Sequence, residues 1–180
     1  MVFDMLELET KIIDFDEDET REKLNSSSAK FQGVFLYKRW VFDLSKSSNK
    51  DEFIRIRTDG KKSTLAYKFR KGQNLSNTEE LEVSIDDFET TARIISKLVN
   101  DGVYQENKTE KWAYGEVEIT INKWPKIPPV IEVEGKSEKL IMNAIKELQI
   151  IGRDVGNLGW NDVYKIYGLD LNSFHVLKFK

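Results

Sequence analysis

The stretch Met5-Leu6-Glu7-Leu8-Glu9-Thr10-Lys11-Ile12-Ile13 decides how the rest of this chain is read. Side chains of a strand alternate between two faces, so Glu7, Glu9 and Lys11 form one row while Leu6, Leu8 and Ile12 form the other. An ordinary wet strand face has the same pattern, because Glu and Lys are common solvent residues. Recurrence separates the two readings. The alternation returns in Ile54-Arg55-Ile56-Arg57, in Leu65-Ala66-Tyr67-Lys68-Phe69-Arg70, in Glu80-Leu81-Glu82-Val83, in Glu116-Val117-Glu118-Ile119 and in Ile131-Glu132-Val133-Glu134.

Around these strands the punctuation is regular. A short helix is expected over about Asp18 to Leu24, followed by a loop through Ser26-Ser27-Ser28 and a β-branched, aromatic strand from Gly33 to Asp43. Strands Glu52 to Arg57 and Ser63 to Arg70 flank Asp59-Gly60, a hairpin signal. From an N-cap at Asp86 or Asp87, the stripe Phe88, Ala92, Ile95, Leu98 and Val99 predicts a helix that stops before Gly102. Val103 to Tyr114 and Glu116 to Lys123 read as a second hairpin around Gly115. Pro125, Pro128 and Pro129 make a stiff connector to the strand Val130 to Gly135. Ser137 caps a helix through Leu148, a third helix runs from about Asn161 to Tyr167, and the tail Phe174 to Phe179 alternates weakly.

Composition bounds the classes. At 180 residues and 39% hydrophobic content, the chain suits one packed domain over residues 1–180. Charged residues reach 33%, above the usual share of about a quarter, and that excess has to be housed. With 28 basic and 31 acidic residues the net charge is -3, so no global field draws nucleic acid or an anionic membrane, and neither is expected as a partner. The absence of cysteine removes disulfides, thiolate metal sites and cysteine nucleophiles, and suits a reducing compartment. No apolar run reaches the length of a signal core or a spanning helix, so a cytoplasmic location is expected.

About eight strands with one apolar and one charged face are interleaved with helices that need apolar surface, and one solution turns the greasy faces outward beneath those helices. The charged faces then meet inside. Glu7, Glu9, Glu80, Glu82, Glu118, Glu132 and Glu134 set against Lys11, Arg55, Arg57 and Lys68 stay ionised only in a wide wet bore where they neutralise one another or bind ions. Carboxylates suit hard divalent cations, and guanidinium or ammonium groups suit phosphate. The competing expectation is a plain β-sheet protein with its charges in solvent.

Taken together, Glu7-x-Glu9-x-Lys11, Arg55-x-Arg57, Lys68, Glu80-x-Glu82 and Glu132-x-Glu134 resemble the CYTH superfamily, the triphosphate tunnel metalloenzymes. That group includes class IV adenylate cyclases, thiamine triphosphatases and inorganic triphosphatases. Leu36-Tyr37-Lys38-Arg39 leading to Phe42-Asp43, Tyr104-Gln105-Glu106-Asn107-Lys108, Trp124-Pro125-x-Ile127-Pro128 and Val163-Tyr164-Lys165-x-Tyr167-Gly168 are similar to the bacterial cyclase-like branch, so the match covers nearly the whole chain. The resemblance implies an α+β fold: an eight-stranded antiparallel closed β-barrel with helices packed on the outside. It implies that Glu7, Glu9, Glu132 and Glu134, with Asn122, hold one or two Mg2+ or Mn2+ ions. Lys11, Arg55, Arg57 and Lys68 would clamp phosphate oxygens, with Lys11 and Arg57 as the catalytic pair. Glu80 and Glu82 would orient the far end of the substrate, and Lys108 and Lys111 would add phosphate contacts. The implied partner is a small triphosphate, namely ATP, tripolyphosphate or thiamine triphosphate, bound by a monomer or homodimer. Attack by the ribose 3'-hydroxyl of ATP gives cyclic AMP and pyrophosphate, the leading expectation, whereas attack by water gives hydrolysis.

Departures from the family pattern favour a third expectation, a binding module without turnover. Asn122 stands where an aspartate is usual, Thr109 where an arginine commonly follows Glu-Asn-Lys, and Thr120 where relatives often carry an acid. Asparagine keeps a carbonyl ligand but removes a full negative charge, which weakens a second metal most. Trp40, Trp112, Trp124 and Trp160 are read as packing residues, the lone His175 has no partner for acid–base work, and Lys61-Lys62 solvates a hairpin tip. The loop serines at 26 to 28 lack a histidine and are not nucleophiles.

Overall fold

The computed structural model describes residues 8–44, 51–70, 78–99 and 101–180, with side chains throughout except at residues 51, 70, 78 and 79. Glu7, and with it the start of the opening motif, lies outside the described residues. The order is β1 (Leu8–Ile13), α1 (Glu17–Ser26), β2 (Lys30–Asp43), β3 (Asp51–Thr58), β4 (Ser63–Arg70), β5 (Thr78–Ile85), α2 (Phe88–Leu98), β6 (Val103–Tyr114), β7 (Val117–Lys123), β8 (Val130–Gly135), α3 (Glu138–Glu147), β9 (Arg153–Gly156), α4 (Trp160–Ile166) and β10 (Val176–Leu177). A single 3-10 turn, Leu171–Ser173, precedes β10. Among the described residues no helix is long and apolar enough to cross a membrane.

The strands form one sheet in the order β5-β4-β3-β2-β6-β7-β8-β1-β9, with β10 added in parallel to β6. This corrects the expected barrel in two respects. The sheet has ten strands rather than eight, and among the described residues its path ends at β5 and β9 without closing. The reason is local: Arg153–Gly156 lies antiparallel along the second edge of β1, through a bulge at Lys11/Ile12, so that edge is taken by β9. The helix-on-sheet α+β class stands.

Packing divides the chain into two compact units, Met1–Phe35 with Lys108–Leu169, and Leu36–Asn107 with Asp170–Lys180. Neither is a continuous segment, because β2 and β6 each run through both. In the first unit Ile12, Trp112, Val117, Ile119, Ile121, Ile131 and Val133 line one sheet face and meet Leu24 of α1 and Ile141 and Ala144 of α3. Each fully buried branched side chain contributes about 1.5–3 kcal/mol, so this face alone fixes strand register. Ser137 Oγ accepts the Leu140 amide at 3.3 Å and starts α3 where the cap was expected. In the second unit Phe42 and Ile56 bury against Phe88 and Ala92 of α2, whose N-cap Asp87 accepts from the Thr90 amide at 2.8 Å. The β3–β4 hairpin turns at Asp59-Gly60: Gly60 takes φ +86°, and Asp59 Oδ1 accepts the amides of Lys61 and Lys62 at 2.8 and 2.7 Å.

Three helices therefore lie on apolar sheet faces as expected, and one does not. Val163 of α4 packs with Ile13 and Val130, which extend on their strands the rows of Glu9-Lys11 and of Glu132-Glu134. Alternation puts α4 on the charged side of the first unit.

Candidate functional site

In the first unit the ladders arrange the charged face as a grid. Glu134 stands opposite Glu9 on β1 and opposite Glu118 on β7. In the next row Lys11, Glu132, Thr120 and Lys111 are neighbours across β1, β8, β7 and β6, and beyond them Asn122 pairs with Thr109. Directly opposed strand residues have Cβ atoms about 4.5–5.5 Å apart, so three carboxylates abreast repel unless cations intervene. Two lysines do so. Lys11 Nζ lies 2.7 Å from Glu9 Oε1 and 3.1 Å from Glu132 Oε1, and Lys111 Nζ donates to Glu118 Oε1 at 2.8 Å. Lys11 is 1% exposed; that burial by itself pushes its pKa down, but the Glu132 and Glu9 carboxylates outweigh it and the ammonium is held above its ordinary value.

Asn122, 3% exposed, donates from Nδ2 to Thr120 Oγ1 and to Glu132 Oε2, both at 2.7 Å, while its Oδ1 accepts from Thr109 Oγ1 at 2.6 Å. An ionised carboxylate only accepts, so the amide nitrogen must face Glu132 and the carbonyl turns toward Thr109. The residue expected to offer a metal an oxygen offers the acids a donor instead. Among the described residues no three His, Cys, Asp or Glu side chains are placed to hold a metal ion. The donors of this face are nonetheless oxygens throughout, and magnesium is commonly bound through one or two carboxylates plus substrate phosphates rather than in a protein cage. One or two of the carboxylates Glu9, Glu132 and Glu134 fit that mode of binding, and a preformed pair of ions is not provided for.

Helix α4 covers one end of this face. The Trp124 and Trp160 rings are 4.5 Å apart, Tyr164 Oη donates to the Pro125 carbonyl at 2.7 Å, and Lys11 Nζ lies 5.7 Å from the Trp160 ring centroid. Trp112 and Trp124 are buried packing residues as expected; Trp160 both packs and faces a cation.

In the second unit the charged face is cationic. Arg57 stands opposite Arg39 on β2 and opposite Thr64 on β4, and Arg55 stands opposite Ala66. Arg55 Nη2 lies 3.3 Å from both Glu80 Oε1 and Glu82 Oε2, and Lys68 Nζ lies 2.7 Å from Glu80 Oε2. Burial first, then the neighbouring Arg57, pushes the Arg55 guanidinium below its ordinary value, and burial followed by Arg55 does the same to Lys68. Arg57 itself makes no hydrogen bond or ion pair among the described residues; its guanidinium lies 5.1 Å from the Tyr37 ring centroid. Arg55 Nε and Thr64 Oγ1 are buried without an acceptor among those residues. Among the described residues, Arg55 Nε, Thr64 Oγ1 and the Arg57 guanidinium are thus left as donors without an acceptor.

Sequence reasoning missed Arg39, which is 9% exposed and donates from Nη2 to Asn107 Oδ1. Its parity with Tyr37 on β2 was the available signal, obscured by Lys38 and Trp40 on either side. Lys108 lies exposed on the same face as Glu110 and Trp112 and beside Lys123, the helix-bearing side, so among the described residues it joins neither cluster. Lys111, one alternation away, does join the acidic grid.

No protein-family model matches the sequence, and no curated protein matches it. Solved structures do. The PH1012 protein from Pyrococcus horikoshii OT3 superposes with a TM-score of 0.68 at 20% identity, covering 81% of this chain and 91% of that one. A candidate adenylate cyclase from Vibrio parahaemolyticus gives 0.61 at 11% identity, covering 80% and 88%. The candidate adenylyl cyclase HpAC1 from Hippeastrum, described as having a dominant triphosphatase activity, gives 0.60 at 16% identity, covering 94% and 99%. This chain has their fold. The likeness spans nearly all of each of these proteins, and at such identities it concerns the backbone alone.

Proposed function

We propose that the chain is a CYTH-type protein that binds a small triphosphate, ATP or tripolyphosphate, together with Mg2+ or Mn2+ and cleaves it by hydrolysis. The observation that carries this is the donor excess around Arg57: an arginine with no ion pair among the described residues, directly opposite Arg39, beside Arg55 and the unmet Thr64 hydroxyl. Like charges directly opposed in a ladder cost stability unless an anion joins them, and a polyphosphate supplies one with many acceptors. Arg55, Arg57 and Lys68 would bind phosphate oxygens and offset charge that grows during transfer, with Glu80 and Glu82 fixing the orientation of Arg55 and Lys68. In the first unit, Lys11 would offer phosphate an ammonium of its own. A divalent ion held by one or two of the first unit's Glu9, Glu132 and Glu134 would polarise phosphoryl oxygens when bound.

Hydrolysis is favoured over cyclisation because the latter must also fix a nucleoside, and the tryptophans that could serve as platforms are engaged: Trp40 with Phe42 and Tyr104, Trp112 with Phe31, Trp124 with Trp160. Incubation with tripolyphosphate and with ATP under magnesium or manganese tests both. Orthophosphate from tripolyphosphate supports hydrolysis, cyclic AMP supports cyclisation, and no product at any metal concentration rules out both. The Asn122 orientation favours one second reading, capture without turnover. Calorimetric binding without product, and product on Asn122→Asp, would support it.

A further inference from the structure

On the triphosphate-binding function proposed above, we infer that Lys11 is a built-in counter-ion that keeps free divalent metal off the acids of β1 and β8 until a phosphate takes over its ammonium. The Nζ atom sits between Glu9 Oε1 at 2.7 Å and Glu132 Oε1 at 3.1 Å. Those are the oxygens a hard cation would use. An ammonium and a metal ion between two carboxylates answer the same repulsion, so they compete for the same acceptors. The competitor here is covalently tethered in the strand that carries Glu9, which fixes it at a high effective concentration. It is also well housed: Lys11 is 1% exposed, and the Trp160 ring, 5.7 Å from Nζ, favours a cation at that spot.

Two neighbouring acceptors are engaged as well. Glu132 Oε2 accepts from Asn122 Nδ2 at 2.7 Å, and Glu118 Oε1 from Lys111 at 2.8 Å. Metal that takes the facing oxygens of Glu9 and Glu132 must therefore evict Lys11 and strand a buried ammonium. A phosphate oxygen changes the exchange. It gives Lys11 a new anionic partner, and the two carboxylate oxygens are released to a metal ion without any charge losing its pair. Metal affinity thus follows from anion binding, and the acids are not a standing metal centre.

The test is Mn2+ binding to the phosphate-free protein, followed by the loss of the free-ion resonance signal, in the wild type, Lys11→Gln and Lys11→Arg. Lys11→Gln is expected to bind Mn2+ about tenfold or more tighter than the wild type, because the competing cation is gone, while Lys11→Arg stays near the wild type. Equal or weaker binding by a folded Lys11→Gln overturns the competition. Should that variant not fold, the unmodified protein decides through its Lys11 ammonium NMR signal: tripolyphosphate alone is expected to move it and Mg2+ alone to leave it in place, whereas movement by Mg2+ alone overturns the inference. Tripolyphosphate binding by the metal-free wild type is scored separately. If the wild type binds it and Lys11→Gln gains no Mn2+ affinity, the counter-ion role fails and the function stands; if it does not bind, the function fails and the Mn2+ comparison still judges the competition.

Discussion

Arg57→Ala separates an anion-binding face from an ordinary solvated one. Arg57 stands opposite Arg39, two residues from Arg55, and its guanidinium lies 5.1 Å from the Tyr37 ring centroid. Truncation therefore removes a cation whose described neighbours on the ladder include two other cations. A guanidinium bonded to phosphate contributes about 1.5–3 kcal/mol, since hydrogen bonds to charged groups are roughly twice as strong as neutral ones. That range converts to roughly a 10- to 150-fold rise in the Kd for tripolyphosphate. The stability change is expected to be small, because relief of like-charge repulsion opposes the loss of a cation–π contact of about 0.5–1 kcal/mol. For a chain of this length 1 kcal/mol moves Tm by about 2–4 °C, so the melting temperature should stay within that window. Calorimetry with metal-free protein and a thermal melt read both quantities, and Lys61→Ala at the exposed hairpin tip serves as the control. Unchanged Kd in Arg57→Ala would refute anion binding on this face. A Tm fall well beyond 4 °C would mean that Arg57 holds the fold and that any lost affinity is secondary.

Three further outcomes follow from the other unit. Lys11 has a folded pKa above its ordinary 10.5, so its contribution to stability is fully present below 10.5 and is lost as pH rises through the folded value. Urea midpoints of the wild type should fall above that pH, and Lys11→Met, lower at neutral pH, should lack this alkaline limb; parallel curves would refute the ion-pair assignment. Asn122→Asp places a second carboxylate where Nδ2 now donates to Glu132 at 2.7 Å, and should cost about 1–3 kcal/mol without metal. Mg2+ should restore part of the melting temperature, and no response to Mg2+ would count against metal binding on this face. Gly152→Ala would bring a Cβ within 2.5 Å of Ile12 Cγ2 and 2.8 Å of the Ile13 carbonyl oxygen, so urea unfolding should show a loss of about 1–3 kcal/mol.

The part of this architecture that sequence could disclose is the part governed by period two. Arg55-x-Arg57, Lys68, Glu80-x-Glu82 and Glu132-x-Glu134 each alternate with apolar residues, and the ladders bring each set together on one face of its own unit. Where both parities carry charge, alternation gives no answer. Lys38-Arg39-Trp40 hid an arginine of the charged face beside a lysine of the opposite face, and Lys108 through Lys111 offered two lysines of which register selects one. Strand β9 was invisible for another reason: Arg153-Asp154-Val155-Gly156 has too few residues to show a period, and its pairing is stabilised by Thr10 Oγ1 donating to Asp154 Oδ1 at 2.6 Å, a contact between residues distant in sequence. That short strand also decides closure, since it fills the edge of β1. Asn122 has the same character. As a bare letter it reads as a ligand weakened by one charge, but Thr109, Thr120 and Glu132 are bonded to it in one network, so its amide orientation, not its missing charge alone, sets what the acids can bind. Three residues that look independent along the chain are then a single hydrogen-bonded unit of one face, and placing an acid at residue 122 alone leaves Thr109 and Thr120 as hydroxyls on either side of it.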